Sequence, residues 1–221
     1  MHIDFISDLH GYTPTPEQEG DLVIIAGDLT ACDKPKDHEK FHKWLKNLKY
    51  DHKIIIAGNH DNFLHEHYLK GTDASMPGCV YLCDSSICID GIKIYGSPWT
   101  MLFDGINAKT CAFTVEDDVE LMVKWDMIPD DTDILVTHMP PYGIFDQINP
   151  VYGRKQSVGS LSLREHVLHR IKPKIHVFGH IHENGGRQIQ TKVTQFINAS
   201  HVDDLYFDKH GFIRSVLKTI G

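Results

Sequence analysis

An α/β core with a second, mixed β-sheet packed against the first is predicted by three features of the sequence. Continuous apolar runs, of the kind carried by strands buried on both faces, recur along the chain and alternate with helical patterns. Each of five such runs ends in polar side chains able to hold a metal. Short hairpin-like runs at 79–97 and 188–217 add strands beyond the alternating set, enough for a second sheet packed on the first.

The elements follow in order. His2 to Ser7 reads as a strand ending at Asp8-Leu9-His10, and Leu22 to Ala26 as one ending at Gly27-Asp28. Pro35 opens a helix over 35–48, where Phe41, Trp44, Leu45 and Leu48 recur at helical spacing. Lys53 to Ala57 leads into Gly58-Asn59-His60-Asp61, and Asp133 to Thr137 into His138. Ile175 to Phe178 leads into Gly179-His180-Ile181-His182. Thr114 with Asp117, and Ser162 with Glu165, have capping-box spacing and place helices near 114–125 and 161–171. Val80–Leu82, Ile87–Ile89 and Lys93–Tyr95 read as a β-meander. The tail reads as four short strands at 188–191, 193–197, 202–207 and 212–216. The stretch 139–160, with Pro140-Pro141 and Arg154-Lys155, is a long loop of the kind that is usually functional or mobile. No low-complexity linker or repeat divides the chain, so 1–221 reads as a single domain.

At 41% hydrophobic and 24% charged, the composition is that of a globular protein. A net charge of −8 argues against binding duplex nucleic acid, which calls for a basic face. Five cysteines without a CxxC pair indicate neither a disulfide framework nor a zinc ribbon, and read as small buried thiols in a reducing compartment. MHIDFISDLHG has no basic-then-apolar leader and no run reaches the length of a membrane span, so a cytoplasmic protein without a membrane partner is expected.

Ligands of open α/β sheets bind outside the carboxyl ends of the strands. The candidate site is therefore Asp8, His10, Asp28, Asn59, His60, Asp61, His138, His180 and His182. Taken singly, each block has an ordinary reading: a surface turn, an Asx loop, a helix N-cap, a hydrogen-bonded histidine. Their recurrence at the ends of all five apolar runs points to metal. Oxygen and imidazole donors without thiolate disfavour iron–sulfur clusters and structural zinc, and the set is too nitrogen-rich for dedicated Ca²⁺ or Mg²⁺. The donors outnumber what one tetrahedral ion uses. Two ions sharing a carboxylate would use them, and such pairs catalyse in-line displacement at phosphorus.

In this order, Asp8-x-His10, Gly27-Asp28, Gly58-Asn59-His60-Asp61, His138 and Gly179-His180-x-His182 resemble the calcineurin-like metallophosphoesterase superfamily, over residues 8–182. The resemblance implies a four-layer α-β-β-α sandwich with two mixed β-sheets. It implies a first metal held by Asp8, His10, Asp28 and His182, and a second by Asn59, His138, His180 and a bridging Asp28. It makes His60 the catalytic histidine, oriented by Asp61, and favours Mn²⁺ and/or Fe, with Zn²⁺ or Co²⁺ as further candidates. Gly-Ser-Pro-Trp at 96–99, His-Met-Pro-Pro at 138–141, the run at 176–183 and Asn198-Ala199-Ser200 are similar to the brain-type, class III cyclic nucleotide phosphodiesterase-like subgroup. Some vertebrate members carry Gly in place of His180; its presence here implies a full two-metal complement.

Protein phosphatases and symmetrical dinucleoside-tetraphosphate hydrolases carry an arginine block after Gly-Asp, whereas Leu29-Thr30 follow here. An Arg fork suits the dianion of a monoester, so its absence favours small phosphodiesters, cyclic nucleotides among them. The expected reaction is in-line attack by a metal-bridging hydroxide, with His60 as general acid. The alternatives are a phosphomonoesterase or nucleotide pyrophosphatase on the same site, or a protein-binding scaffold with a vestigial metal site. No residue is assigned to substrate binding, and oligomeric state is not read from the sequence. Tyr12, Trp99, Tyr142 and Phe145 are candidates for stacking, and the Gly159-Ser160 helix start for phosphate.

Overall fold

The computed structural model describes residues 1–18, 20–74, 76–102, 110–149 and 155–218. Arg154 lies outside the described residues. The first strands are β1 (His2–Ile6), β2 (Gly20–Ala26), β3 (Tyr50–Ile56), β4 (Val80–Tyr81), β5 (Ser85–Ile89) and β6 (Ile92–Ser97). They are followed by β7 (Ile134–Thr137), β8 (Ile175–Phe178), β9 (Gln188–Gln190), β10 (Gln195–Asn198) and β11 (Ile213–Val216). The helices are α1 (Pro35–Asn47), α2 (Asn62–Lys70), α3 (Asp118–Asp126) and α4 (Leu161–Glu165), the last continuing as a π-turn over His166–Ile171.

One sheet has the order β11-β1-β2-β3-β4, parallel except for the antiparallel β11. The other has the order β9-β10-β8-β7-β6-β5, with a parallel centre and an antiparallel strand at each edge. Side chains alternate across a strand, and that alternation sorts the core. Phe5, Ile24 and Ile56 meet Ile134, Val136, Val177 and Ile197 between the sheets. Val23, Ile25 and Ile55 carry the opposite phase toward Phe41 and Leu45 of α1. On the other sheet, Leu135, Phe178 and Phe196 join Leu121, Trp125, Leu163 and Val167. The layers therefore run helix, sheet, sheet, helix. Among the described residues no helix is long and apolar enough to cross a membrane.

Several expected elements differ. Asp117 caps α3, accepting from the Val119 and Glu120 amides, while Thr114 lies in a short bridge with Thr100. Ser160, not Ser162, caps α4: its hydroxyl accepts from the Leu163 amide and also receives Trp125 Nε1–H. The 79–97 meander is split, because Val80–Tyr81 joins the first sheet beside β3. Residues 202–207 form no strand, only a bridge between Val202 and Asp208. β11 crosses to pair with β1. Cys32 and Cys88 are exposed rather than buried.

His176 on β8 supplies a prediction. Its ring is fully buried against Phe178 and Phe196. The Thr137 hydroxyl gives its one proton to the Met139 carbonyl, so at 2.9 Å it must accept from His176 Nε2–H. Among the described residues Nδ1 has no hydrogen-bond partner, and burial pushes the imidazole down to about 3. The unfolded side chain titrates near 6.5. Between those values only the unfolded chain takes up the proton, so stability falls as the pH drops below about 6.5. Urea melts of His176→Gln against the parent should show that this loss, about 2 kcal/mol at pH 5, is gone in the variant. Parallel profiles would contradict it.

Candidate metal centre

The carboxyl ends of β1, β2 and β3 in one sheet, and of β7 and β8 in the other, converge on one point. A backbone stitch brings the sheets together there: Ser7 N–H donates to the Ala199 carbonyl and His201 N–H to that of Ser7, each at 2.8 Å. His138 crosses the same seam. Its Nδ1 stands 2.8 Å from the Ala26 carbonyl, which can only accept, so Nδ1 carries a proton there and Nε2 is the nitrogen left facing the centre.

The Asp8, His10, Asp28 and His182 donor atoms lie within 4.8 Å of one another. Asp28 Oδ2 is 3.6 Å from His10 Nε2 on one side and 3.4 Å from His138 Nε2 on the other. Beyond His138, Asn59 Oδ1 stands 3.1 Å from His138 Nε2 and 3.0 Å from His180 Nδ1. The Asn59 amide group donates to the Thr110 carbonyl, which fixes the oxygen toward the imidazoles. His60 Nε2 is 3.9 Å from Asp28 Oδ2. The structure thus brings eight of the nine expected side chains to one centre, with Asp28 between two donor groups.

The backbone is strained to achieve this. Asp8, His10, Asp28 and His180 all have left-handed φ, between 41° and 68°, which costs a non-glycine residue about 1–3 kcal/mol and clusters at functional sites. Close approach also explains two glycines. A Cβ on Gly58 would collide with Asp28 and His138, and one on Gly179 with Asp8 and Ser7. The side chains fill a cradle that leaves the flanking backbone no room for a methyl group.

Electrostatics make the cradle fit for cations. Asp8 and Asp28 are buried, and among the described residues their ion pairs are with histidines alone. Burial would raise the Asp8 carboxyl, but the hydrogen bond and charge of His182 hold it below the usual range. Asp28 is held low by His138, His60 and His10 against the same penalty. Conversely, His138 is raised to about 9, burial being outweighed by Asp28 and Asp8. Burial pushes His10 down to about 4 and His180 to about 3. Two buried carboxylates without Lys or Arg among their ion pairs call for positive charge, and the imidazoles of His10 and His180, held neutral by burial, are ready donors. Oxygen and nitrogen donors in this mixture suit transition metals.

Asp61 departs from expectation. Its carboxylate accepts from the Gly58, Asp28 and Leu29 amides at 2.8–3.0 Å, so it clamps the Gly-Asn-His-Asp loop to the Gly-Asp loop and does not orient the His60 imidazole. Burial and the neighbouring Asp28 push that carboxyl up to about 7, against the amide hydrogen bonds. The Gly159-Ser160 start is no phosphate site, because its amides already bond Asp146, Pro140, Asp118 and Ser160 itself. Of the stacking candidates, Trp99 is buried with its Nε1–H on Asp84, and Phe145 packs under Arg187. Tyr142 holds Arg164 through its carbonyl, and Tyr12 alone of the four lines the cavities described below. Ser200 is a neighbour of the site that the strand-end pattern does not mark. Its hydroxyl donates to Asp8 Oδ2 at 2.8 Å beside the two bonds Asp8 receives from the His180 amide, and the Asn198-Ala199-Ser200 run was its only signal.

The chain is similar to proteins already known. The human Metallophosphoesterase domain-containing protein 1 is 34% identical over 218 residues, covering 88% of this chain and 64% of its own. The Caenorhabditis elegans UPF0046 protein T07D4.2 is 34% identical over 207 residues, covering 81% of this chain and 50% of its own. The chain therefore spans less than two thirds of those relatives. A solved crystal structure shares the fold at TM-score 0.62 and 13% identity, over 97% of this chain and 98% of its own. The model of the calcineurin-like phosphoesterases matches residues 1–184. With that match and a donor cradle at five strand ends, the chain belongs to the calcineurin-like phosphoesterase family, whose members depend on metal.

Proposed function

We propose that the chain is a dinuclear-metal phosphodiesterase acting on small phosphodiesters such as cyclic nucleotides. The carrying observation is the position of Asp28 Oδ2, shared between His10 at 3.6 Å and His138 at 3.4 Å. Asp8, His10, Asp28 and His182 would hold one divalent ion, and Asp28, Asn59, His138 and His180 the other. Mn²⁺ and Fe are the first candidates, then Zn²⁺ and Co²⁺. Bound there, the pair supplies an acidified water and neutralises charge on the phosphoryl oxygens.

The protein's own groups do the rest. The His60 amide donates to Asp28 Oδ1 at 2.9 Å, which locks that loop to the shared carboxylate and aims the imidazole outward. The His60 side chain is 22% exposed and lines both cavities at the centre, where it can pass a proton to a leaving oxygen. Among the described residues no arginine lines either cavity. A dianionic monoester gains most from a guanidinium fork, which favours the diester.

Protein stripped by chelator and reloaded with each ion in turn tests the reading on paired aryl phosphodiester and monoester substrates and a cyclic nucleotide panel. We expect kcat/KM to be higher on the diester. A higher value on the monoester would assign a phosphomonoesterase. Failure to retain metal, with no turnover of either, would assign a binding scaffold.

A further inference from the structure

The Tyr206 ring stands T-shaped to both His10 and His182, with ring centroids 4.8 and 5.0 Å apart. It comes from a turn beyond the residues the family model matches. Its φ of 63° is a left-handed value that an aromatic residue rarely adopts. The turn is braced to hold it: Asp203 Oδ1 accepts from the Leu205 and Phe207 amides at 3.0 Å, and Tyr206 N–H donates to the Asp203 carbonyl at 2.9 Å. The Tyr12 hydroxyl closes the brace on the Tyr206 carbonyl at 3.3 Å. Strain kept in place by this many contacts marks a functional position.

The ring divides the mouth of the centre. On one side is a cavity of about 470 Å³ that Tyr206 and His60 share with His10, Tyr12 and Lys40. On the other is one of about 510 Å³ that they share with Asp28, His180 and His182, rimmed by Glu183 and Asp204. The π face of an aromatic ring is electron-rich, so a planar group is disfavoured between those carboxylates and suited to the tyrosine side.

We infer that Tyr206 is a positioning residue that takes the planar arm of a phosphoester, an aryl group or nucleobase, into the lobe it shares with Tyr12. This rests on the phosphoesterase reading of the centre. The phosphoryl group stays over the metal ligands, and the arm lies along the ring that flanks His10.

Titration calorimetry of Mn²⁺-reloaded protein with phenylphosphonate and methylphosphonate separates the arm from the phosphoryl group. The parent should bind the phenyl compound more tightly. Tyr206→Gly, whose backbone accepts this φ without strain, should lose about fivefold of that preference, the worth of one aromatic contact, while keeping its metal. Tyr206→Phe should retain the preference. An undiminished preference in Tyr206→Gly overturns the inference while the phosphoesterase reading stands. Loss of metal in that variant also overturns it, making the ring a buttress for His10 and His182. Failure of the reloaded parent to hydrolyse any phosphoester removes the reading on which it rests.

Discussion

Replacing Asp28 with asparagine is expected to strip both ions and to lower kcat by about a thousandfold or more. The geometry makes this residue unlike the other ligands. Its Oδ2 faces His10 on one side and His138 on the other, while Oδ1 is taken by the His60 amide at 2.9 Å. Asparagine preserves the shape and one acceptor, so the loop should stay in place and the folded chain persist. What disappears is the negative charge that both cation positions share. Elemental analysis should find less than one ion per chain, against two in the parent. Thermal melts offer an independent reading. An ion that binds only the folded state raises its stability with concentration, so added Mn²⁺ should raise the parent's Tm and leave that of Asp28→Asn unchanged. Retention of both ions in the variant would remove the bridging role.

The part of the centre legible in the sequence follows from strand physics. Runs such as Leu22–Ala26 and Ile54–Ala57 are buried on both faces, so they are apolar throughout and their ends are marked by the first polar residue. The parallel arrangement then places those ends on one side. Asp8, Asp28 and His138 were therefore readable as neighbours although they are far apart in the chain. Partnering was less legible. Val80–Tyr81 and Ile213–Val216 are short runs whose composition does not say which sheet they join, and both pair within the first. Caps were displaced by a few residues for a tertiary reason. Ser160 caps α4 while its hydroxyl also bonds Asp118 and Trp125, and those partners are more than 30 positions away. Tyr206 was hidden in what reads as a strand. Leu205 and Phe207, which an alternating pattern would set against a core, are instead 68% and 63% exposed. The Asp61 carboxylate is legible in the motif but its task of holding amides is not, because a sequence motif does not show which way a side chain turns.

His60→Ala should separate chemistry from metal binding. His60 is more exposed than the candidate ligands around it, and its Nε2 stands 3.9 Å from Asp28 Oδ2 with its edge toward the open cavities. Removing the imidazole leaves all seven candidate ligands in place, so metal content should match the parent while kcat falls by about 10²–10⁴-fold, the range of a positioned general acid. The size of the fall should depend on the leaving group. An alkoxide departs poorly unless it is protonated, whereas p-nitrophenoxide carries its own charge well. The deficit of His60→Ala should therefore be large on an alkyl diester and much smaller on a p-nitrophenyl one. An equal deficit on both would make the imidazole a stabiliser of phosphoryl charge rather than a proton donor. Metal loss in His60→Ala would show that the ring belongs to the ligand set. Asp61→Asn provides the contrast: its carboxylate holds amides of two loops and not the ring, so a defect there should reduce stability and metal content together, with no selectivity for the leaving group.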